Sequence, residues 1–256
     1  MFHNLVRVLF FGSILLGVIF LPAPTYVDLT HNNLPVFSKG FILGTDRLGR
    51  DNLSLFCFGS FSTILLVIPA RMVTILFSFF VTSISLFFKS KVDFLLSGFV
   101  SVSLSLPSLL SALVVITILP NNPISILIAI VVSDWAIAYE SLTAKIREIQ
   151  SSPYITASIS FGAKPMHLVI LHYLPALKSM FRYLFFSGLP TVVMTMALFS
   201  YLGIQTSVGD TGPGLGEQIS FSKDYFDKSP FSVLLPILAI LILVYSLGSR
   251  NHKHET

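Results

Sequence analysis

The side chains able to do chemistry are few, and their spacing builds no catalytic set. Arg71 stands inside an apolar run, where a charge is costly and faces a bundle interior or snorkels; a pore-lining or inter-subunit role and snorkelling to water are both open. Asp134 and Glu140 bracket Trp135 and Tyr139 near the end of another apolar run and read as interfacial anchors rather than a proton relay. His167 and His172 are five apart, which does not place them on one helical face, and no carboxylate completes a metal site. His252 and His254 belong to a short basic tail. The single cysteine, Cys57, excludes an internal disulfide framework and reads as small apolar filler. Asp46, Arg50 and Asp51 share a polar connector, which they order by mutual pairing or offer to a docking protein. There is no Gly-x-x-x-x-Gly-Lys-Ser/Thr loop to cradle phosphate. Gly209, Gly212, Gly214 and Gly216 lack a preceding strand and a following lysine, and are expected to form a flexible connector. The expectation is therefore a non-enzyme that binds no metal and no cofactor of its own.

The elements that carry these residues are set by composition. Of 256 residues 54% are hydrophobic and 11% charged, with 24 phenylalanines, more apolar surface than a water-soluble domain can hide. Apolar segments cover residues 5–21, 53–88, 94–119, 124–142, 183–204 and 231–247, predicting an all-α, polytopic membrane protein with six transmembrane helices. Residues 53–88 are too many for one straight span, so a short lead-in before Ser60 and a span ending near Phe88 are expected. Pro107 is expected to kink the third span, and Gly188 with Pro190 to interrupt the fifth. The organisation is a first helix over 1–22, an outer connector over 23–59, a core over 60–247 and a tail over 248–256. Within the core lie a polar loop over 143–182 and a second over 205–230. A cleaved signal peptide is the rival reading of the first helix, though no small-x-small cleavage site follows it.

Charge fixes the expected sidedness. With the N-terminus inside, Arg7, Lys89, Lys91, Lys145, Arg147, Lys164, Lys178, Arg182, Arg250 and Lys253 fall in the cytoplasm, against Lys39, Arg47, Arg50, Lys223 and Lys228 outside. The net charge of +4 is thus accounted for by membrane topology rather than by a nucleic-acid partner. The loop over 143–182 is cytoplasmic on this reading, as are both termini.

That loop is the least membrane-like part of the sequence. Ser152 is placed to cap a helix opening at Pro153, whose missing N–H is harmless there, and Gly162 to end it in a left-handed turn. A second helix is expected from Pro165, with Met166, Val169, Ile170 and Tyr173 as its apolar stripe and Pro175 as its end. Tyr154, Ile155 and Ile159 are interleaved with Ala157, Ser158 and Ser160, small residues that let a partner approach. A membrane-surface helix pair with no partner is the alternative.

Two motifs resemble a known family. The spacing from Gly162 to Leu174-Pro175, with the His172-Tyr173-Leu174-Pro175 ending, resembles the cytoplasmic loop signature of permease subunits of bacterial binding-protein-dependent ABC importers, in their dipeptide, oligopeptide and nickel branch. Leu43-Gly44-Thr45-Asp46-Arg47-Leu48-Gly49-Arg50-Asp51 resembles the Leu-Gly-Thr-Asp-x-x-Gly-Arg-Asp segment of the second, C-type permease of that branch. Asp93, Pro107 and Ser200-Tyr201-Leu202-Gly203 fall where that subunit has matching residues, so the resemblance covers roughly residues 40–245.

The resemblance implies a type I permease fold with a coupling helix and an assembly with a second permease subunit. It also implies two cytoplasmic ATP-binding subunits that hold ATP and Mg, and an external solute-binding protein. It assigns ATPase coupling to Tyr154, Ile155, Thr156, Ala157, Ser158, Gly162, Ala163, Pro165, His172, Leu174 and Pro175. The external family motif comprises Gly44, Thr45, Asp46, Gly49, Arg50 and Asp51. Peptide import across the bacterial inner membrane is the implied function, with nickel or another small solute as alternative cargo. An ion-gradient-driven transporter is a more distant alternative, since it would require several deep ionisable residues and an internal repeat. Three departures stand out. Thr156 replaces the usual loop glutamate, so docking is expected to rest on shape and apolar contact. Gly212-Pro213-Gly214-Leu215-Gly216 stands where Trp-Gly is common, and the stretch after Leu247 is short and lacks the family's Gly-Asp-x-Leu-Arg-Asp ending.

Overall fold

A computed structural model describes residues 2–38, 40–87 and 91–248. The expected charged turn at Lys89, Lys91 and Asp93 rests on side chains outside the described ones, and the basic tail Arg250–His254 lies outside altogether. Among the described residues every regular element is helical, with isolated bridges joining Ser38 to Phe41 and Thr45 to Asp51. The helices are α1 (Phe2–Phe20), α2 (Asn52–Phe87), α3 (Lys91–Ser105), α4 (Ser108–Ile118), α5 (Pro123–Gln150), α6 (Pro153–Ser160), α7 (Pro165–Leu168), α8 (Leu174–Tyr201), α9 (Leu215–Ser222) and α10 (Phe231–Gly248).

Four described stretches are long and apolar enough to cross a bilayer: Asn52–Ser85, Pro123–Gln150, Met166–Tyr201 and Phe231–Gly248. A fifth span would be the pair α3 and α4, which bends by 98° between Ser105 and Ser108. The expected kink at Pro107 is thus a full break. Proline removes one helix donor and disfavours helical angles at Leu106, and both act at one point. The first expected span is shorter: Leu5–Phe20 is apolar but, at 1.5 Å per residue, about 24 Å long against a hydrocarbon core of about 30 Å.

Two further expectations give way to continuous helix. Residues 52–87 form one helix of 36 residues straight through Pro69, without a separate lead-in. Helix α8 likewise runs uninterrupted through Gly188 and Pro190. Hydroxyls are frequent in α2, and five of them bond within their own helix. Thr63, Thr74, Ser78, Thr82 and Ser83 each donate to the carbonyl four residues back at 2.8 Å. An apolar solvent then meets no unsatisfied hydroxyl on these side chains.

The chain divides into two compact units. The first comprises Met1–Pro69, Leu119–Leu127 and Leu189–Thr256. In it Arg7 donates to the Ser246 carbonyl, Phe10 meets Phe56 edge-on at 5.9 Å, and buried Cys57 packs against Gly17, where a β-carbon would collide. Three of the glycines expected to form a flexible connector, Gly212, Gly214 and Gly216, are packed against neighbours that a β-carbon would strike. Gly216 packs directly on the Ala197 carbonyl of α8, and buried Gln218 donates to the carbonyls of Leu55 and Pro213, both at 2.9 Å. The second unit comprises Ala70–Ile118 and Ile128–Gly188. Its main core joins Ile75, Leu142, Ile146, Ile149, Ile155, Leu168, Tyr173, Leu177 and Leu184, and a smaller cluster gathers Val81, Val100, Ala136 and Tyr139.

Candidate functional site

The second unit contains a buried ion pair that sequence reading divided between two unrelated roles. Arg71 of α2 is only 4% exposed, and its Nη1 donates to Asp134 Oδ2 of α5 at 2.7 Å. Its Nε and Nη2 donate to the Leu184 carbonyl of α8 at 2.9 and 2.6 Å. Arg71 therefore faces the interior of its unit and does not snorkel, and Asp134 is its buried partner rather than an interfacial anchor. Gly188 makes room for the guanidinium, because a β-carbon there would collide with it. One planar donor fork thus ties three helices, including both arms, α5 and α8, that lead into and out of the polar insert. The sequence signal was present: two opposite charges inside apolar runs are ordinarily each other's partners.

The insert is held from the same core. Helix α6 opens at Pro153 with Ser152 at its N-cap, as the sequence implied, but Ser152 Oγ donates to the Ile149 carbonyl at 2.5 Å instead of capping. Its C-terminus is a Schellman turn: Gly162 N donates to Ile159 O at 2.8 Å and Ala163 N to Ser158 O at 3.1 Å. Gly162 sits at φ +81° with open space around it, so a side chain there is opposed by backbone conformation alone. Only Ile155 of α6 is buried, with no exposed surface at all. Tyr154, Thr156, Ala157, Ile159 and Ser160 are exposed, Ser158 is half-buried, and Phe161 at the tip is 91% exposed.

The second half of the insert departs from expectation. Pro165 opens α7, but Pro175 does not end a helix. A π-helical turn, Val169–Tyr173, carries the chain from α7 into α8, and Leu174 N bonds back to the Val169 carbonyl. Widening the turn is a known way to accommodate the donor that proline lacks. It also changes which residues face inward. Leu168, Tyr173 and Leu177 are buried, whereas Met166 and Ile170 of the expected stripe are exposed. Across this turn the rings of His167 and His172 meet edge-on, their centroids 6.4 Å apart. His172 Nε2 lies 3.3 Å from Ser158 Oγ and its ring 5.7 Å from that of Tyr154, so the two halves of the insert touch. Ala163 packs against the core, and Leu174 and Pro175 are exposed. Among the described residues, no group of three or more His, Cys, Asp or Glu side chains could hold a metal ion.

The motif over residues 43–51 lies in the first unit and folds on itself. Asp46, 1% exposed, accepts from the backbone of Leu48 and Arg50 at 2.9 Å each and pairs with the Arg50 guanidinium at 2.7 Å. Thr45 Oγ1 donates to the His31 carbonyl and accepts from Leu34 N, and Asp51 accepts from Ser54 N at 3.0 Å, capping α2. Gly44 and Gly49 have φ of +70° and +75°, and a β-carbon at Gly49 would strike the Asp28 carbonyl. Arg47 stacks 3.3 Å above the Phe221 ring. Nearby, Thr30 and His31 donors hold the Asp28 carboxyl down at about 2.

Together these features define an α-helical, multi-pass membrane protein built around a polar two-helix insert. It matches the family described as binding-protein-dependent transport system inner membrane component over residues 74–250, and it belongs to that family. The chain is 27% identical over 195 residues to the oligopeptide transport system permease protein OppC of Bacillus subtilis, covering 75% of this chain and 64% of that one. It is 27% identical over 209 residues to the di/tripeptide transport system permease protein DppC of Pseudomonas aeruginosa, covering 81% and 68%. It is 24% identical over 244 residues to the dipeptide transport system permease protein DppC of Alkalihalophilus pseudofirmus, covering 94% and 80%. The chain spans a little under two thirds of the length of the first of these relatives.

Proposed function

We propose that this chain is a permease subunit of an ATP-driven importer of di- and oligopeptides, contributing half of the translocation pathway. The observation that carries the proposal is the insert itself. Helix α6 is anchored by one buried residue and otherwise presents small and apolar side chains, ending in the bare ring of Phe161. A solvated loop would hide such residues or replace them with charge. The partners are a second permease subunit, two cytoplasmic ATP-binding subunits that hold ATP and Mg, and an external solute-binding protein. The insert and both termini lie in the cytoplasm, as the distribution of lysine and arginine supports. ATP binding draws the two ATPases together, and α6 passes that movement to α5 and α8, which Arg71 couples to α2. Tilting of packed helices as rigid bodies then exposes the pathway to each side in turn. The relatives, all named for peptides, favour peptide over nickel as cargo.

Purified in mild detergent from its native membrane, the chain should bring ATP-binding subunits and a second permease with it. Vesicles made from that complex and supplied with the binding protein should take up a labelled dipeptide only with ATP, with an unlabelled tripeptide competing. A chain that purifies and transports alone would remove the assembly. ATP-driven uptake of Ni²⁺ with no uptake of peptide would replace the cargo.

A further inference from the structure

A second polar site lies in the second unit, where α5 runs towards the insert. Phe94 and Ser97 of α3 and Tyr139, Glu140, Thr143 and Arg147 of α5 line a cavity of about 270 Å³. Its charges are opposite and unspent: among the described residues neither Glu140 nor Arg147 forms an ion pair, while neighbouring Lys145 is engaged by Glu148 at 2.7 Å. Between them the hydroxyl of Thr143 is shut off from solvent without a hydrogen-bond partner. Such an orphan is costly unless a ligand or water meets it. The three residues follow one another along one face of α5, at positions i, i+3 and i+7.

The depth of this face narrows the ligand. Counted along α5 from Pro123 at 1.5 Å per residue, Glu140 lies about 26 Å and Arg147 about 36 Å down the helix. A hydrocarbon core about 30 Å thick ends between them, so the cavity opens at headgroup level. Phe94 at its rim is 79% exposed, which suits contact with acyl chains.

We propose that this cavity binds the headgroup of phosphatidylethanolamine. The phosphate accepts from the Arg147 guanidinium and from the Thr143 hydroxyl, and the primary ammonium donates to the Glu140 carboxylate. Long side chains on a helix lean toward its N-terminus, the direction in which Thr143 lies from Arg147. Phosphatidylcholine carries the same charges but has no N–H to donate, and phosphatidylglycerol has no cation, so both fit worse.

The test is native mass spectrometry of the full complex from nanodiscs holding equal parts of the three lipids. The wild-type complex should retain phosphatidylethanolamine about tenfold or more over either competitor, the range expected of one charge-assisted hydrogen bond. Glu140→Gln should lose the preference over phosphatidylcholine, and Arg147→Gln should lose retention of all three. Equal retention of phosphatidylcholine and phosphatidylethanolamine by the wild type would overturn the proposal, as would unchanged selectivity in both variants. If Arg147→Gln instead released the ATP-binding subunits with lipid retention intact, the cavity would be a protein contact and the proposal wrong. None of these readouts depends on the cargo.

Discussion

Arg71→Met is expected to be among the most damaging single substitutions in the membrane part of this protein. It leaves the Asp134 carboxylate buried without its cation and the Leu184 carbonyl without its two donors. Removing one member of a buried pair costs about 3–5 kcal/mol. For a chain of this size that corresponds to a melting midpoint roughly 6–20 °C lower, read by thermal aggregation in detergent. Asp134→Leu should be comparably harmful, because it strands the guanidinium. The double variant Arg71→Met with Asp134→Leu should recover most of the loss, since an apolar pair of similar volume is tolerated where half an ion pair is not. The exchanged pair, Arg71→Asp with Asp134→Arg, should not recover it. An aspartate at 71 would set a carboxylate against the Leu184 carbonyl, where a methionine only leaves that carbonyl unmet, and the space left by Gly188 is shaped for a guanidinium. A double variant no better than either single one would show that the pair is not the coupled unit described here.

The second large effect is expected at Ile155, and it should be functional rather than global. Helix α6 has eight residues, too few for independent stability in water, and Ile155 is its only buried side chain. Truncating a fully buried isoleucine to alanine costs about 2–5 kcal/mol, here borne by the contact between α6 and the cluster of Ile146, Ile149, Leu168 and Tyr173. ATP-driven uptake by Ile155→Ala should therefore fall to less than about a tenth, while ATP hydrolysis continues and the melting midpoint of the membrane helices changes little. Uptake and hydrolysis falling together with the melting midpoint would mean that Ile155 supports the whole unit and not the docking of α6.

Much of this architecture could be read from the sequence because it rests on local physics. Long apolar runs make spanning helices, Pro153 opens a helix, and Gly162 closes one with a left-handed residue. What could not be read depends on how distant segments meet. Nothing adjacent to Arg71 names Asp134 or the Leu184 carbonyl as its partners, since 63 and 113 residues separate them. Pro175 is a helix stopper by local rules, and only the π turn before it makes it compatible with continuous helix. That turn shifted the inward face from the Met166 stripe to Leu168 and Tyr173. The glycines between 209 and 216 look like slack chain, yet Gly216 is required for the approach of α9 to α8. In each case local propensity described the segment in isolation, and tertiary packing selected a different outcome.

The central claim is that the tip of α6 meets an ATP-binding subunit. Phe161→Cys offers a direct probe, because Phe161 is almost fully exposed while the native Cys57 is 1% exposed and shielded from reagents. A photoactivatable maleimide attached at position 161 in native membranes should, on illumination, yield an adduct whose mass equals this chain plus one ATP-binding subunit. The same label at Val27→Cys, in the connector assigned to the outer side, should yield none. Adduct formation from position 27, or its absence at 161 in a complex that still hydrolyses ATP, would contradict the account.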